Sequence, residues 1–203
     1  MRYAIFSDVQ GNYEALKRFF EINENMPNSY LCLGDIVQYG TSFNDNRCID
    51  LVQKKNCIAV RGNHEDYVLA HYEESKKKIY PHNLEYLASL PSEREIDGEY
   101  RLIHAPSGKR IQNVREAAEE FTRLPAHVEV CFFGHSHRPT IFSRDKKGVV
   151  KEEKLGEELQ LSEDLAYMIN PGGIGLYWGL PQTYLVFESR TRKLQFERMN
   201  NAN

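Results

Sequence analysis

Short apolar runs that each end in a polar, chemically reactive residue recur along this chain. The run Val130–Phe133 is wholly apolar and stops at Gly134, which is typical of a strand buried on both faces. His135 and His137 follow at once, one residue apart. Two partly exposed turn histidines would look the same as two metal ligands, so the pair needs support from elsewhere in the chain.

The same pattern predicts an early half in which strands and helices alternate. Predicted strands are Arg2–Ser7, Tyr30–Leu33, Cys57–Val60 and Glu99–Ile103. Helical periodicity predicts one helix capped by Asn12, and others over Arg47–Lys55, Asp66–Leu90 and Gln112–Arg123.

The later half reads as mostly strands. Thr140–Ser143, Val149–Leu155 and Glu158–Leu161 are predicted to form successive hairpin strands, followed by Tyr167–Ile169 and a last hairpin through Thr183–Glu188 and Lys193–Met199. We therefore expect an α/β (α+β) fold in which two mixed sheets pack together with helices outside, a four-layer α-β-β-α sandwich.

Composition limits the partners. The 203 residues contain no proline-rich or glycine/serine-rich linker, which favours a single domain over 1–203. A formal net charge of -3 gives no basic field for long nucleic acid, and no apolar run is long enough for a signal peptide or a membrane span. The four cysteines form no CxxC pair, so we expect reduced thiols and a cytoplasmic location.

The residues just past five apolar runs are all potential metal ligands or proton donors: Asp8, Asp35, Asn63, His64, His104, His135 and His137. Sheets with parallel strands gather their functional groups at such strand ends. Two aspartates facing two divalent cations would leave about two positive charges, which favours binding an anion and ionising a bridging water. The pattern therefore predicts a phosphate site that carries its own nucleophile.

These residues lie in five ordered blocks: Ser7–Asn12, Gly34–Gly40, Gly62–Glu65, Ile103–His104 and Gly134–His137. The chain resembles the calcineurin-like metallophosphoesterases, whose pattern runs D-x-H, G-D-x-x, G-N-H-[DE], H, G-H-x-H, and especially their small single-domain bacterial members. Asn170–Gly175 also resembles the Asn-Pro-Gly-Ser loop of those members, with Gly173 where serine is usual.

The resemblance implies a role for each position. Asp35 would bridge two metal ions, with Asp8, His137 and Gln10 completing the first site, and Asn63, His104 and His135 completing the second. His64 would donate a proton to the leaving oxygen while a bridging hydroxide attacks phosphorus. Asn12 would either hydrogen-bond phosphate or serve only as a helix cap.

Two departures from the family pattern carry consequences. Gln10 offers an amide oxygen where the family has histidine, which favours two divalent or mixed-valence ions of manganese or iron, with magnesium or zinc as alternatives. Gln38 and Tyr39 replace the aspartate and arginine of the Gly-Asp-x-x-Asp-Arg-Gly block of protein Ser/Thr phosphatases, which argues against a protein phosphatase.

We therefore expect a phosphatase or phosphodiesterase acting on a small soluble phosphate compound. By similarity to small bacterial members, cyclic nucleotides or dinucleoside polyphosphates are the leading substrates, and Trp178 or Tyr177 would either stack on a nucleobase or serve as packing. The competing hypothesis is an inactive interaction module, because the fold also resembles the retromer subunit that lost its chemistry. The nearly complete ligand set argues for the enzyme.

Overall fold

The computed structural model describes residues 1–25, 27, 29–156, 158–175 and 179–199. Twelve strands lie in this part of the chain: β1 (Arg2–Phe6), β2 (Ser29–Cys32), β3 (Ile58–Ala59), β4 (Glu93–Ile96), β5 (Tyr100–Ile103), β6 (Val130–Phe133), β7 (Pro139–Arg144), β8 (Val150–Glu152), β9 (Leu159–Gln160), β10 (Ala166–Pro171), β11 (Thr183–Glu188) and β12 (Lys193–Arg198). The described helices are α1 (Tyr13–Ile22), α2 (Asp45–Lys54), α3 (Asn63–Ala70), α4 (Tyr72–Ser75), α5 (Pro81–Ser89) and α6 (Val114–Phe121).

Within the described residues the strands form two six-stranded mixed sheets. The first has the order β3-β2-β1-β11-β12-β9 and the second β4-β5-β6-β10-β7-β8. In each sheet three adjacent strands are parallel, namely β3, β2 and β1 in the first, and β5, β6 and β10 in the second. The carboxyl ends of parallel strands lie at the same edge of a sheet, so each sheet has three carboxyl ends side by side at one edge.

Side chains point alternately to the two faces of each central strand, and this alternation separates the inner core from the outer helix layers. Tyr3 and Ile5 of β1 lie in the core between the sheets, whereas Ala4 and Phe6 pack against the outer helices of the first sheet. In β6, Phe132 belongs to the core between the sheets.

The opposite face of β6 completes the stack. Cys131 and Phe133 pack with Phe121 of α6, on the outside of the second sheet. Four layers result, and the expected α-β-β-α sandwich is confirmed.

Three details differ from the sequence-based expectation. β9 does not continue the β7–β8 hairpin but pairs with β12 in the other sheet. The segment 66–90 is not one helix: α3 ends at Ala70, α4 is a single turn, and Pro81 begins α5. β4 was not predicted because its Glu-Arg-Glu-Ile sequence is mostly charged and exposed.

The final hairpin, β11 with β12, is confirmed. Among the described helices, none combines the length and apolar character needed to cross a membrane.

Candidate active site

The ends of five parallel strands carry the predicted site residues. Asp8 follows β1, Asp35 follows β2, and Asn63 and His64 follow β3 at the start of α3. His104 follows β5, and His135 and His137 follow β6. Residues from both sheets therefore converge at one edge of the sandwich.

The first group of side chains surrounds Asp8. Nε2 of His137 lies 3.3 Å from Oδ1 of Asp8. Nε2 of Gln10 lies 3.1 Å from the same histidine nitrogen, and the backbone N–H of His135 donates to Oδ2 of Asp8 over 3.1 Å. A half-turn of the Gln10 amide would bring its Oε1 to that position, so the side chain is within ligand reach.

The second group surrounds His104. Its Nε2 lies 3.3 Å from Oδ2 of Asp35 and 3.1 Å from Oδ1 of Asn63. Its Nδ1 donates to the backbone oxygen of Leu33 over 2.7 Å, which leaves Nε2 facing the site. One potential ligand atom from each of Asp35, His104 and His135 lies within 4.8 Å of the others.

The donor atoms fit metal ions. Asp8 Oδ1 and Asp35 Oδ2 are buried, and neither has a hydrogen-bond partner among the described residues. A buried, unpaired carboxylate oxygen is costly unless a cation compensates it. Metal bonds of ~2.1 Å place neighbouring ligand atoms roughly 3 to 3.5 Å apart, which is the spacing of these oxygens from the imidazole nitrogens.

The local charges also favour cation binding. Burial raises the pKa of Asp8 to about 6, and nearby positive charge on His104 offsets only part of this effect. Burial and the charge of His104 lower the pKa of His135 to about 4, and burial lowers the pKa of His137 to about 4. Both imidazoles are thus neutral at physiological pH, the form that binds metal.

His104 differs from the other two histidines. Burial opposes its charged form, but the carboxylates of Asp35, Asp8 and Glu65 together outweigh burial and raise the pKa of His104 to about 9. The pair of His104 and Asp35 therefore holds a proton in the metal-free protein, and a bound cation would replace that proton.

His64 lies beside this cluster, and its ring is anchored to the backbone of Val37. Its Nδ1 donates to the backbone oxygen of Val37 over 2.8 Å, and its Nε2 lies 3.4 Å from Oδ2 of Asp35. The side chain is buried, and burial lowers the pKa of His64. His64 is thus close enough to the cluster to serve a reaction there.

The backbone around the site is strained. Asp8, Gln10, Asp35, His135 and His137 all have left-handed φ angles, between +49° and +68°. Such conformations are uncommon outside glycine and concentrate at functional sites.

Two glycines allow the turns of the site to approach one another. A Cβ on Gly62 would lie 2.3 Å from Oδ1 of Asp35, and one on Gly134 would lie 2.1 Å from Oγ of Ser7. No larger side chain fits at either position without displacing the turn.

Sequence reasoning assigned no role to three residues that the structure brings to the site. The buried Glu65 carboxylate accepts four backbone N–H groups around Asp35. Asn170, near the end of β10, donates to Gly134 O over 2.6 Å and to Ser136 Oγ over 3.0 Å. Arg110 is exposed on the loop after His104, and its charge contributes to the low pKa of His64, His135 and His137. Glu65 and Asn170 had a signal, since both lie in motif blocks, whereas Arg110 had none.

Two predicted substrate contacts have different outcomes. Oδ1 of Asn12 accepts the backbone N–H of Ala15 over 3.1 Å, so the capping role is confirmed and phosphate contact stays a prediction. Trp178 and Tyr177 lie outside the described residues.

Comparisons with known proteins agree with this geometry. An uncharacterized protein of Methanocaldococcus jannaschii is 31% identical over 97% of this chain and 86% of its own length. A metallophosphoesterase from Sphaerobacter thermophilus superposes with a TM-score of 0.82 at 30% identity, covering 98% of this chain and 89% of that one. An archaeal phosphodiesterase shares the fold alone, with a TM-score of 0.58 at 16% identity over 98% and 100% of the two chains.

The family comparison covers most of the site. The sequence model for calcineurin-like phosphoesterases matches residues 1–139, a range that contains every predicted metal ligand and His64. This match, the similar metallophosphoesterase structure and the ligand cluster at the strand ends agree, and the chain therefore belongs to the calcineurin-like phosphoesterase family of phosphoric ester hydrolases.

Proposed function

We propose that this protein hydrolyses a small phosphate compound at a site for two metal ions. The observation that carries the proposal is a pair of buried oxygens, Asp8 Oδ1 and Asp35 Oδ2, that have no hydrogen-bond partner among the described residues and each lie beside an imidazole nitrogen. Buried carboxylate oxygens that accept no hydrogen bond are unfavourable, and divalent cations would remove this penalty.

The residues divide into two sets around Asp35. Asp8, His137 and Gln10 would hold the first ion, while Asn63, His104 and His135 would hold the second, with Asp35 shared between them. When bound, such ions stabilise the negative charge of a phosphoryl group and lower the pKa of an attacking water. Histidine, amide and carboxylate donors suit manganese or iron best.

His64 would supply the proton that the leaving oxygen needs. Its Nδ1 donates to the carbonyl oxygen of Val37, so Nε2 is the ring nitrogen that can exchange a proton with a substrate. Burial lowers the pKa of His64, which makes the protonated ring a stronger acid. Departure of a poor leaving group would depend on this proton most.

The positive charge of Arg110 favours an anionic substrate. Its side chain is exposed, and within the described residues it forms no ion pair or hydrogen bond. An uncompensated cation close to the three histidines would attract a phosphate group to the site. Nucleotide-type compounds, either cyclic nucleotides or dinucleoside polyphosphates, are the substrates that we propose to screen first.

The decisive experiment measures hydrolysis of p-nitrophenyl phosphate and bis-p-nitrophenyl phosphate by metal-free protein and after addition of manganese. We expect metal-dependent turnover of at least one compound. Well-folded protein that binds manganese yet hydrolyses neither would instead support an interaction module.

A variant tests the role of His64. His64→Ala should keep bound metal but lose ~10²- to 10⁴-fold in turnover, because a general acid contributes to the reaction without holding the ions. Alkyl phosphates should be affected most. Loss of metal in this variant, or alkyl phosphate hydrolysis at the parental rate, would contradict the assigned role.

A further inference from the structure

An aromatic ring lies flat against the imidazole of His64. The ring of Tyr39 stacks on it with centroids 3.6 Å apart and planes 28° apart. Tyr39 lies in a tight turn after β2, closed by the Thr41 N–H donating to Gln38 O over 2.8 Å. Tyr39 has a left-handed φ of +53°, an unfavourable conformation for an aromatic residue that its surroundings must hold in place.

The other contacts of His64 leave one movement uncontrolled. The Nδ1 bond to Val37 O holds one corner of the ring, and the backbone N–H bond to Asp35 Oδ1, 3.0 Å long, fixes only the main chain. The remaining polar contact, Nε2 to Asp35 Oδ2 over 3.4 Å, would be lost when that oxygen binds a metal ion. An imidazole held at one corner can still tilt about that bond, and a tilt displaces Nε2. A ring stacked on its face blocks the tilt on that side.

Tyr39 is itself supported by the helix that carries His64. Tyr67 contacts Tyr39 edge-on, with centroids 5.2 Å apart and planes at 80°. His64 and Tyr67 are three residues apart on α3 and so project from the same face of the helix. His71 stacks on Tyr67 at 4.0 Å and donates from Nδ1 to Tyr67 O over 2.9 Å. The Tyr39 ring is thus held against one face of α3.

We propose that Tyr39 is a positioning residue that keeps the His64 imidazole oriented so that Nε2 faces the leaving group of the substrate. The proposal rests on the proposed function of His64 as proton donor. The stacked face of the ring performs the task, so the phenol hydroxyl of Tyr39 is not required.

The first test compares three variants on p-nitrophenyl phosphate, which has a good leaving group, and on an alkyl phosphate, which has a poor one. Tyr39→Leu should lower kcat on the alkyl phosphate ~10- to 100-fold and on p-nitrophenyl phosphate less than about threefold, because misplacement of a proton donor slows only the step that needs it. Tyr39→Phe should behave as the parent. Tyr72→Leu is the matched control, since Tyr72 is an exposed tyrosine at the start of α4 whose described ring contact is with Lys76.

A double variant separates positioning from packing. If Tyr39 acts through His64, then His64→Ala combined with Tyr39→Leu should be no slower than His64→Ala alone on the alkyl phosphate. A multiplied loss in the double variant, or equal losses on both substrates in Tyr39→Leu, would overturn the proposal.

Nuclear magnetic resonance of the metal-free protein gives a readout independent of activity. With ¹³C-labelled histidine, the His64 ring proton signals should be shifted upfield by the Tyr39 ring in the parent and in Tyr39→Phe, and should lose this shift in Tyr39→Leu. Unchanged signals in Tyr39→Leu would overturn the stacking. A His64→Ala variant that treats both substrates alike would instead count against the proposed function of His64.

Discussion

At the scale of single residues, the site combines strained backbone with unpaired polar atoms. Asp8 and Asp35 each have a left-handed φ and one buried carboxylate oxygen without a hydrogen-bond partner in the described residues. Each strained residue costs on the order of 1 to 3 kcal/mol, and each buried unpaired group adds a similar amount. A bound cation would offset these costs, so they are expected at a metal site.

Gln10 provides the sharpest prediction at this scale. Gln10→His should tighten binding at the first site and favour zinc, because an imidazole nitrogen is a stronger and softer donor than an amide oxygen. Gln10→Ala should weaken the same site if the amide is a direct ligand. Calorimetric titration of the metal-free protein with manganese and with zinc measures both effects.

The second site serves as the internal control for these titrations, since Asn63, His104 and His135 are untouched in both variants. Three superimposable curves for parent, Gln10→His and Gln10→Ala would remove Gln10 from the proposed ligand set.

At the scale of elements, Glu65 joins two strand ends to one helix. Its Oε2 accepts the N–H groups of Asp35 and Gly62, both over 2.8 Å, and its Oε1 accepts those of Ile36 and Val37 over 2.8 and 3.1 Å. The turn after β2 and the turn after β3 are thus bound to the first turn of α3. Burial raises the pKa of Glu65 to about 7, and the Asp35 charge adds to the effect, while the N–H donors oppose it.

Glu65→Gln should therefore destabilise the protein. The amide –NH2 would face two N–H groups that lose their acceptor, at ~1 to 3 kcal/mol each, so we expect a loss of about 2 to 5 kcal/mol in the free energy of unfolding. Urea denaturation of the metal-free protein measures it.

Asp66→Asn is the matched control for this change, because Asp66 is the next residue of α3 but has an exposed side chain that pairs with Arg61. It should cost less than about 1 kcal/mol. Equal losses in the two variants would show that the four-acceptor arrangement of Glu65 is unimportant for stability.

At the scale of the whole molecule, the proposed ligands come from both sheets. Asp8, Asp35 and Asn63 follow strands of the first sheet, whereas His104, His135 and His137 follow strands of the second. Bound ions would therefore join the two halves of the sandwich, in addition to the apolar core between them.

Metal removal should consequently lower thermal stability. A ligand at about 100 times its dissociation constant stabilises the native state by ~2.7 kcal/mol, which for a chain of this size corresponds to a Tm change of roughly 5 to 10 °C. Scanning calorimetry with EDTA and then with excess manganese measures the shift. Asp35→Asn, which lacks the shared carboxylate, should show almost none, and an equal shift in this variant would place the stabilising ions elsewhere.

Local patterns in the sequence were sufficient for several features. The central strands and the Asn12 cap were predicted correctly, because buried strands and helix caps depend on residues near one another in the chain. The family match confirms the predicted family membership, and the strand order confirms the predicted sandwich of two mixed sheets.

Other features depended on long-range packing. The pairing of β9 with β12 brings together strands that no local pattern relates, and the roles of Glu65, Asn170 and Tyr39 appear only when separate turns meet. The sequence by itself thus determined which residue types stand at the strand ends. Tertiary structure alone decided which of them face one another, because left-handed turns and strand order are set by contacts between distant segments rather than by neighbours in the chain.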